Sequence, residues 1–477
     1  MAAIPLSTRL SYGVGQLSDG VKQSAFSTFL FFYYNQVLGL SGSLAGSAAL
    51  LALLVDAITD PMVGQLSDRL QSRWGRRHPF MLAGAVPFGI AIFILFSPPA
   101  DLSQAALFAW MLGGAISVRL MLTLFYVPHL SLGAELAKDY YGRTSLIGYR
   151  VFFAYAGILV TSVVGFSLFF PPSEMYPNGM LNKASYPGFG LFCGMMGSTA
   201  MLLSVAGTWR SIPELSKPVI TGNESTAWLA FIDVFRTLKL DSFRVLFAAI
   251  LMFATLAGVS QTLMIYVATY VFEFKPGHLA GLASSVLIGI IFASWVAQGL
   301  SARFDKKRAL RICVITGGFF AFSPQILYFG GFLGQIDDAL KFTLVFSVNG
   351  ISQIFFIAYM ILLDSMLSDS IDEHQLDCGK REEGLFFAAR SFATKASYGL
   401  GSFLAGIGLD IIEFPKSATP ETVPVEAIIK LAILSGPVLL FFFIATVLIS
   451  NRYPMSEARH REIMGAIAQR EKLEFKD

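Results

Sequence analysis

Apolar residues along this chain gather in long, nearly unbroken runs separated by short polar gaps. Twelve of these runs approach or exceed the ~20 residues that a helix needs to cross a bilayer. They lie at about residues 10 to 38, 43 to 66, 79 to 98, 104 to 132, 145 to 170, 188 to 208, 243 to 272, 278 to 300, 310 to 333, 341 to 366, 384 to 412 and 426 to 450. The pattern predicts an all-α integral membrane protein; transmembrane β-strands would instead read as ~10-residue alternations. The longest polar gap, residues 209 to 242, contains the amphipathic stretch TAWLAFIDVFRTLKL and is expected to be a linker lying on the membrane surface. It divides the chain into a six-helix bundle over 1 to 208 and a second over 243 to 450, followed by a tail over 451 to 477.

Composition agrees with the pattern: the 477 residues are 55% hydrophobic and 14% charged, with a mean hydropathy of +0.62. Charge adds an orientation, because short cytoplasmic loops retain Lys and Arg. Arg69, Arg73, Arg76 and Arg77 follow the second run, and Arg303, Lys306, Lys307, Arg308 and Arg311 follow the eighth. Gaps on the other side carry about one lysine each: Lys183, Lys275, Lys341 and Lys416. Both termini are therefore expected in the cytoplasm. The net charge of +3 reflects this bias and gives no nucleic-acid footprint. The first run is too long for a signal-peptide core and reads as the first span. Cys193, Cys313 and Cys378 form no disulfide framework, and the sequon at Asn223 falls on the expected cytoplasmic side, away from the glycosylation machinery. No GxxxxGK[ST] loop and no HExxH occurs, so neither ATP-driven pumping nor zinc hydrolysis has visible machinery.

The two halves echo each other. GQLSDRLQSRWGRR after the second run matches GLSARFDKKR after the eighth, and YYGRTSLIGYR matches DCGKREEGLFFAAR. Such 6+6 symmetry predicts a transporter with its site at midplane. Gly64, Asp68, Arg69, Gly75, Arg76 and Arg77 resemble the loop signature of the major facilitator superfamily. That resemblance implies a cytoplasmic latch formed by Asp68, Arg69, Arg73, Arg76 and Arg77.

Polar residues inside the apolar runs are the candidate chemistry, since an ionisable group in hydrocarbon costs ~2.5 kcal/mol or more. Asp56 and Asp60 stand four apart, on one helical face about 6 Å apart along the axis. Two carboxylates so close require that one stay protonated, that a cation lie between them, or that a basic residue of a neighbouring helix pair with them. Pro61 removes a backbone donor beside them. Arg119, Thr123 and Tyr126 share a stripe of the fourth run, with Arg119 near mid-membrane, either as counter-ion to an aspartate or as a fork for a substrate carboxylate or phosphate. Gln16, Asp19 and Gln23 share a stripe of the first run with Lys22 adjacent; Ser391, Lys395 and Tyr398 share one of the eleventh; Arg150 opens the fifth.

Five segments together resemble the glycoside–pentoside–hexuronide:cation symporters, a melibiose permease-like family of that superfamily. They are RLSYGVGQ, DAITDPMVGQLSDRLQSRWGRRHPF, YVPHLSLGAEL, YRVFFAYAG and GKREEGLFFAARSFATKASYGLG, spanning residue 9 to about 401. The resemblance implies a major facilitator fold of twelve helices in two pseudo-symmetric bundles, working by alternating access. It implies that Asp56 and Asp60 bind the coupling cation, with Thr59 and Thr123 beside them. It places Arg150 near the sugar and makes Lys395 the helix-eleven lysine that faces the cation site. Two aspartates that grip galactosyl hydroxyls in melibiose permease are absent: those positions hold Gly20 and Tyr126, with an acid displaced to Asp19, ~100° around the helix. A tryptophan position holds Leu130 and an asparagine position Thr59, which leaves Na+ and H+ both open.

The expectation is thus a non-enzymatic symporter, coupled to Na+ or H+ and needing no other cofactor. It imports a glycoside or hexuronide-like sugar through Asp19, Lys22, Gln23, Arg119, Tyr126, Arg150 and Lys395. The alternative substrate is a lysophospholipid or other anionic amphiphile; a receptor and a membrane enzyme are the remaining classes. The expected partners are a small-molecule substrate and membrane lipid, with no nucleic acid. The expected setting is a multi-pass plasma membrane protein, in a bacterium the inner membrane, acting as a monomer.

Overall fold

The structure is a computed structural model that describes residues 4–137, 140–214, 236–379 and 382–474. The amphipathic stretch from 226 and the sequon at Asn223 lie outside the described residues, apart from the stretch's last five positions. Among the described residues every regular element is helical, and ten helices are long and apolar enough to cross a membrane. The first and eleventh expected spans are helical too, with features that depart from a plain apolar helix. The eleventh is one helix, Glu383–Ile411, that carries Arg390 and Lys395 in its interior and Asp410 at its end.

The first span is broken. It runs as α1 (Leu6–Val14) and α2 (Leu17–Ser24), then as two widened π-helical stretches, Ala25–Leu30 and Tyr33–Val37. The break falls at Gly15, where a Cβ would stand 2.7 Å from Ser204 Oγ and 2.8 Å from Phe125 Cζ. Close packing therefore selects glycine there, at the cost of helix propensity. The elements that follow are α3 (Gly42–Arg69), α4 (His78–Leu95), α5 (Gln104–Leu136), α6 (Tyr140–Val164) and α7 (Ser185–Thr208). After the linker come α8 (Asp241–Tyr266), α9 (Pro276–Ser284), α10 (Val286–Arg303), α11 (Lys306–Phe329), α12 (Asp338–Cys378), α13 (Glu383–Ile411), α14 (Val425–Ser435), α15 (Pro437–Ser450) and α16 (Glu457–Glu474).

The chain packs as two compact units that do not follow the sequence in two contiguous pieces. Unit 1 comprises Met1–Ala227, Gln261–Ala280 and Ser402–Ile428, so it gathers α1 to α7 with the end of α8 and the end of α13. Unit 2 comprises Trp228–Ser260, Gly281–Gly401 and Ile429–Asp477. In unit 1, α2 crosses α6 at glycines: a Cβ at Gly20 would overlap the Ala154 carbonyl oxygen, and one at Gly157 would lie 2.5 Å from Leu17 O. Small residues let helix backbones approach within a membrane, where packing replaces the hydrophobic effect as the driving force. Unit 2 is built on a buried core that includes Phe253, Tyr359, Leu362, Met366, Leu367 and Phe386. Helix α16 adds Ile463 and Ile467 to that core, and His460 Nε2 lies 3.1 Å from Asp372 Oδ2 on α12. The tail is therefore part of the fold of unit 2.

Candidate ion and substrate site

Helix α3 carries the two acids and α5 the residues that meet them. Asp56 is buried, 8% exposed, and Arg119 likewise at 9%. Arg119 Nη1 donates to Asp56 Oδ2 at 3.3 Å, and its guanidinium also stands over the Phe26 ring at 5.3 Å. The Thr123 hydroxyl lies 3.1 Å from Asp56 Oδ1 and 2.9 Å from Asp60 Oδ1. One hydroxyl has one hydrogen, so Thr123 can donate to only one of the two carboxylates at a time. The three oxygens form a small cluster of the donor type that a proton or a dehydrated monovalent cation takes. Thr59 stands apart from that cluster: its hydroxyl donates back to the Asp56 carbonyl at 3.3 Å, within the helix turn.

Around this pair, α2 and α6 bring further polar groups. Lys22 Nζ lies 3.1 Å from Asp19 Oδ1, and Gln16 Nε2 donates to Asp19 Oδ2 at 3.3 Å. Arg119 feels the charges of Asp19 and Asp60 as well as Asp56, and Tyr126 lies within electrostatic range of Asp19, Arg150 and Asp60. Tyr12 lies within reach of the Arg150 charge and stacks on His129 at 4.3 Å. The sequence candidates Asp19, Lys22, Asp56, Asp60, Arg119, Thr123, Tyr126 and Arg150 thus share one neighbourhood inside unit 1. Gln23 is exposed. Lys395 belongs to unit 2, half-buried on α13.

The packing also accounts for one departure from the melibiose permease-like pattern. No acid can stand at position 20, because any side chain there meets the α6 backbone at Ala154. Asp19 points elsewhere, into its ion pair with Lys22. The polar group that this helix carries is accordingly Lys22, Asp19 and Gln16, joined to one another.

The basic loop after α3 is a built cluster. Arg77 donates to Asp68 at 2.6 Å, to Glu135 Oε1 at 3.1 Å and to Ser67 Oγ at 2.8 Å, while Arg76 Nη2 reaches Glu135 Oε1 at 2.6 Å. Arg69 and Arg73 are exposed, Arg73 over the Trp74 ring at 5.7 Å. Glu135, the centre of the cluster, was not a sequence candidate; an acid closing a long apolar run looks like any polar residue at a helix end until its two arginines are seen. Unit 2 has a counterpart in Lys306, which donates to both oxygens of Asp369 at 2.7 and 2.8 Å. Glu135 is 8% exposed at its side chain and Asp68 55%. Removing one partner of a buried pair costs ~3–5 kcal/mol, against ~1 kcal/mol or less for an exposed one. Glu135→Gln should therefore lower the melting temperature of the purified protein by several degrees, about 2–4 °C per kcal/mol. Asp68→Asn should scarcely move it, and equal shifts would show that burial does not set the worth of this cluster.

Comparison with known proteins bears on all of this. The sequence profile of a family described as MFS/sugar transport protein matches residues 11–457. The putative glycoside/cation symporter YagG of Escherichia coli strain K12 is 26% identical over 468 residues, which cover 96% of this chain and 94% of that protein. The isoprimeverose transporter of Lactiplantibacillus pentosus is 23% identical over 414 residues, covering 85% of this chain and 80% of that protein. Among solved structures, a bacterial homologue of the human lysosomal transporter Spinster, inward-facing and unoccupied, superimposes with a TM-score of 0.64. It is 14% identical and covers 97% of each chain, a likeness of fold.

Proposed function

This chain belongs to the MFS/sugar transport protein family, and we propose that it is a symporter that uses a Na+ or H+ gradient to import a glycoside or hexuronide-like sugar. It is a transporter and not an enzyme. The observation that carries the proposal is the cluster of Asp56, Asp60 and Thr123 oxygens with Arg119 seated on one of the acids. The chain's likeness to a putative glycoside/cation symporter and to an isoprimeverose transporter supports the same reading.

In this account the cation, or a proton, occupies the space at Thr123 between the two carboxylates. Binding it removes the repulsion that otherwise keeps the acids apart, and sugar then binds on Asp19, Lys22, Tyr126 and Arg150. Both termini and the Arg76–Glu135 cluster face the cytoplasm, where that cluster latches one state of the cycle.

The test is uptake into liposomes holding the purified full-length chain, with a Na+ or a pH gradient imposed and a panel of neutral glycosides and uronides outside. Accumulation above equilibrium that follows one of the two gradients is expected. Equilibration alone under both gradients would remove the coupling. Thr123→Val keeps the shape and deletes the hydroxyl. A hydrogen bond to a charged group is worth ~1.5–3 kcal/mol, so the half-saturating concentration of the coupling ion should rise about 10- to 100-fold. An unchanged value would take Thr123 out of the seat.

A further inference from the structure

Helix α3 begins at Gly42, at the end opposite the Arg76–Glu135 cluster. A helix start leaves backbone donors without partners, and here the chain satisfies them from two sources. Ser41 serves Leu44 N through its hydroxyl at 3.3 Å and Ala45 N through its carbonyl at 3.0 Å. The first two donors are taken by a residue 368 and 367 positions away: Asp410 Oδ1 accepts from Gly42 N and Oδ2 from Ser43 N, each at 2.7 Å. A carboxylate at this place also complements the positive end of the helix dipole.

The backbones touch behind the carboxylate. A Cβ at Gly406 would overlap Gly42 O, and a Cβ at Gly46 would fall 2.6 Å from Phe403 Cα. Further clasps surround the cap, all within unit 1. Lys416 Nζ donates to Gly39 O at 2.8 Å, and Ser417 donates to Gln36 O through both its amide and its hydroxyl, at 3.0 Å each. The Tyr266 hydroxyl donates to Asn35 Oδ1 at 2.6 Å. Ser417 holds a left-handed backbone, φ 54°, that a non-glycine residue adopts only when its surroundings fix it. Segments 261–280 and 402–428 are therefore fastened beside the start of α3 by polar bonds, alongside the aromatic packing of Tyr266 on Phe32 at 5.4 Å. The same helix carries Asp56 and Asp60, 14 and 18 residues on, about 21 and 27 Å along its axis.

We propose that Asp410 is the latch of the outer gate: its carboxylate holds the start of α3 while the gate is shut, and must let go for sugar to enter from outside. Asp410 acts as a positioning residue, touching neither sugar nor ion, and its release is passed along α3 to the acids. The direction assigned to the gate rests on the sidedness proposed above.

Labelling of an introduced cysteine tests this without substrate. Ala49 is seven residues after Gly42 and three after Gly46, on the same face of α3. In right-side-out vesicles, Ala49→Cys in the full chain is exposed to a membrane-impermeant maleimide from the outer side. Loss of a helix cap shifts an equilibrium by roughly 2- to 30-fold, so Asp410→Ala should speed labelling by that factor. Asp410→Asn, which keeps one acceptor, should fall between. Gly406→Ala, which wedges the backbones apart and leaves the charge, should act in the same direction and keeps the test decisive should Asp410→Ala not fold. Labelling rates equal to those of the parent protein in Asp410→Asn and Gly406→Ala would overturn the latch. The readout needs no sugar and no ion gradient, so an error in the symport reading leaves it interpretable, and a latch failure leaves symport standing.

Discussion

Asp60→Asn is expected to abolish uphill accumulation of sugar and to leave the protein folded, so that solute still equilibrates across the membrane. Asparagine can neither take up the proton nor supply the charge that holds a cation, while its shape still accepts the Thr123 hydroxyl at the 2.9 Å contact. The accumulation ratio should fall to unity, whereas an intact symporter gains about tenfold for each 1.4 kcal/mol of ion gradient. Asp56→Asn should do the same and also destabilise, because Arg119 is then left buried without its carboxylate. Breaking such a pair costs ~3–5 kcal/mol. Undiminished uphill uptake in either variant contradicts the assignment of these acids.

Arg119→Gln carries the second large effect and decides what the arginine is for. As a fork for an acidic solute it would contribute ~1.5–3 kcal/mol to binding uronides, hence 10- to 100-fold in affinity, and nothing for neutral sugars. As the resident counter-ion of Asp56, its loss strands a buried charge and affects every solute alike. The bond to Asp56 Oδ2 and the seat over Phe26 favour the second outcome. Uptake of a uronide and its neutral parent sugar should fall together, by a factor of ten or more, with a drop in melting temperature. Loss of uronide uptake alone, at unchanged melting temperature, would return Arg119 to the substrate.

The all-helical membrane fold was legible because long apolar runs leave the backbone no other way to satisfy its donors and acceptors in lipid. The acid pair, Arg119 and Thr123 were legible because ionisable groups at mid-membrane stand out against such runs, and helical spacing alone puts Asp56 with Asp60 on one face. Which partner a polar residue takes across the fold was only partly legible, an aspartate being one of the two readings open for Arg119. Nothing local joins Arg119 to Asp56, 63 residues apart, or Asp410 to Gly42. The break in the first span depends on Ser204 and Phe125 crowding Gly15, and the vacancy at position 20 on Ala154 of a distant helix. Glu135 and His460 read as ordinary end-of-helix polar residues until their partners are seen. Composition and periodicity record which face of a helix is polar, and the tertiary fold decides which polar face it meets.

Coupled ion movement tests the central claim most directly. Liposomes containing the wild-type chain receive an inward gradient of a transported sugar and no ion gradient, and internal Na+ and pH are followed together. The account predicts that sugar entry carries Na+ or H+ inward with it, and that Asp60→Asn admits sugar without either ion. Sugar entry through the wild-type chain with no accompanying movement of Na+ or H+ would contradict it.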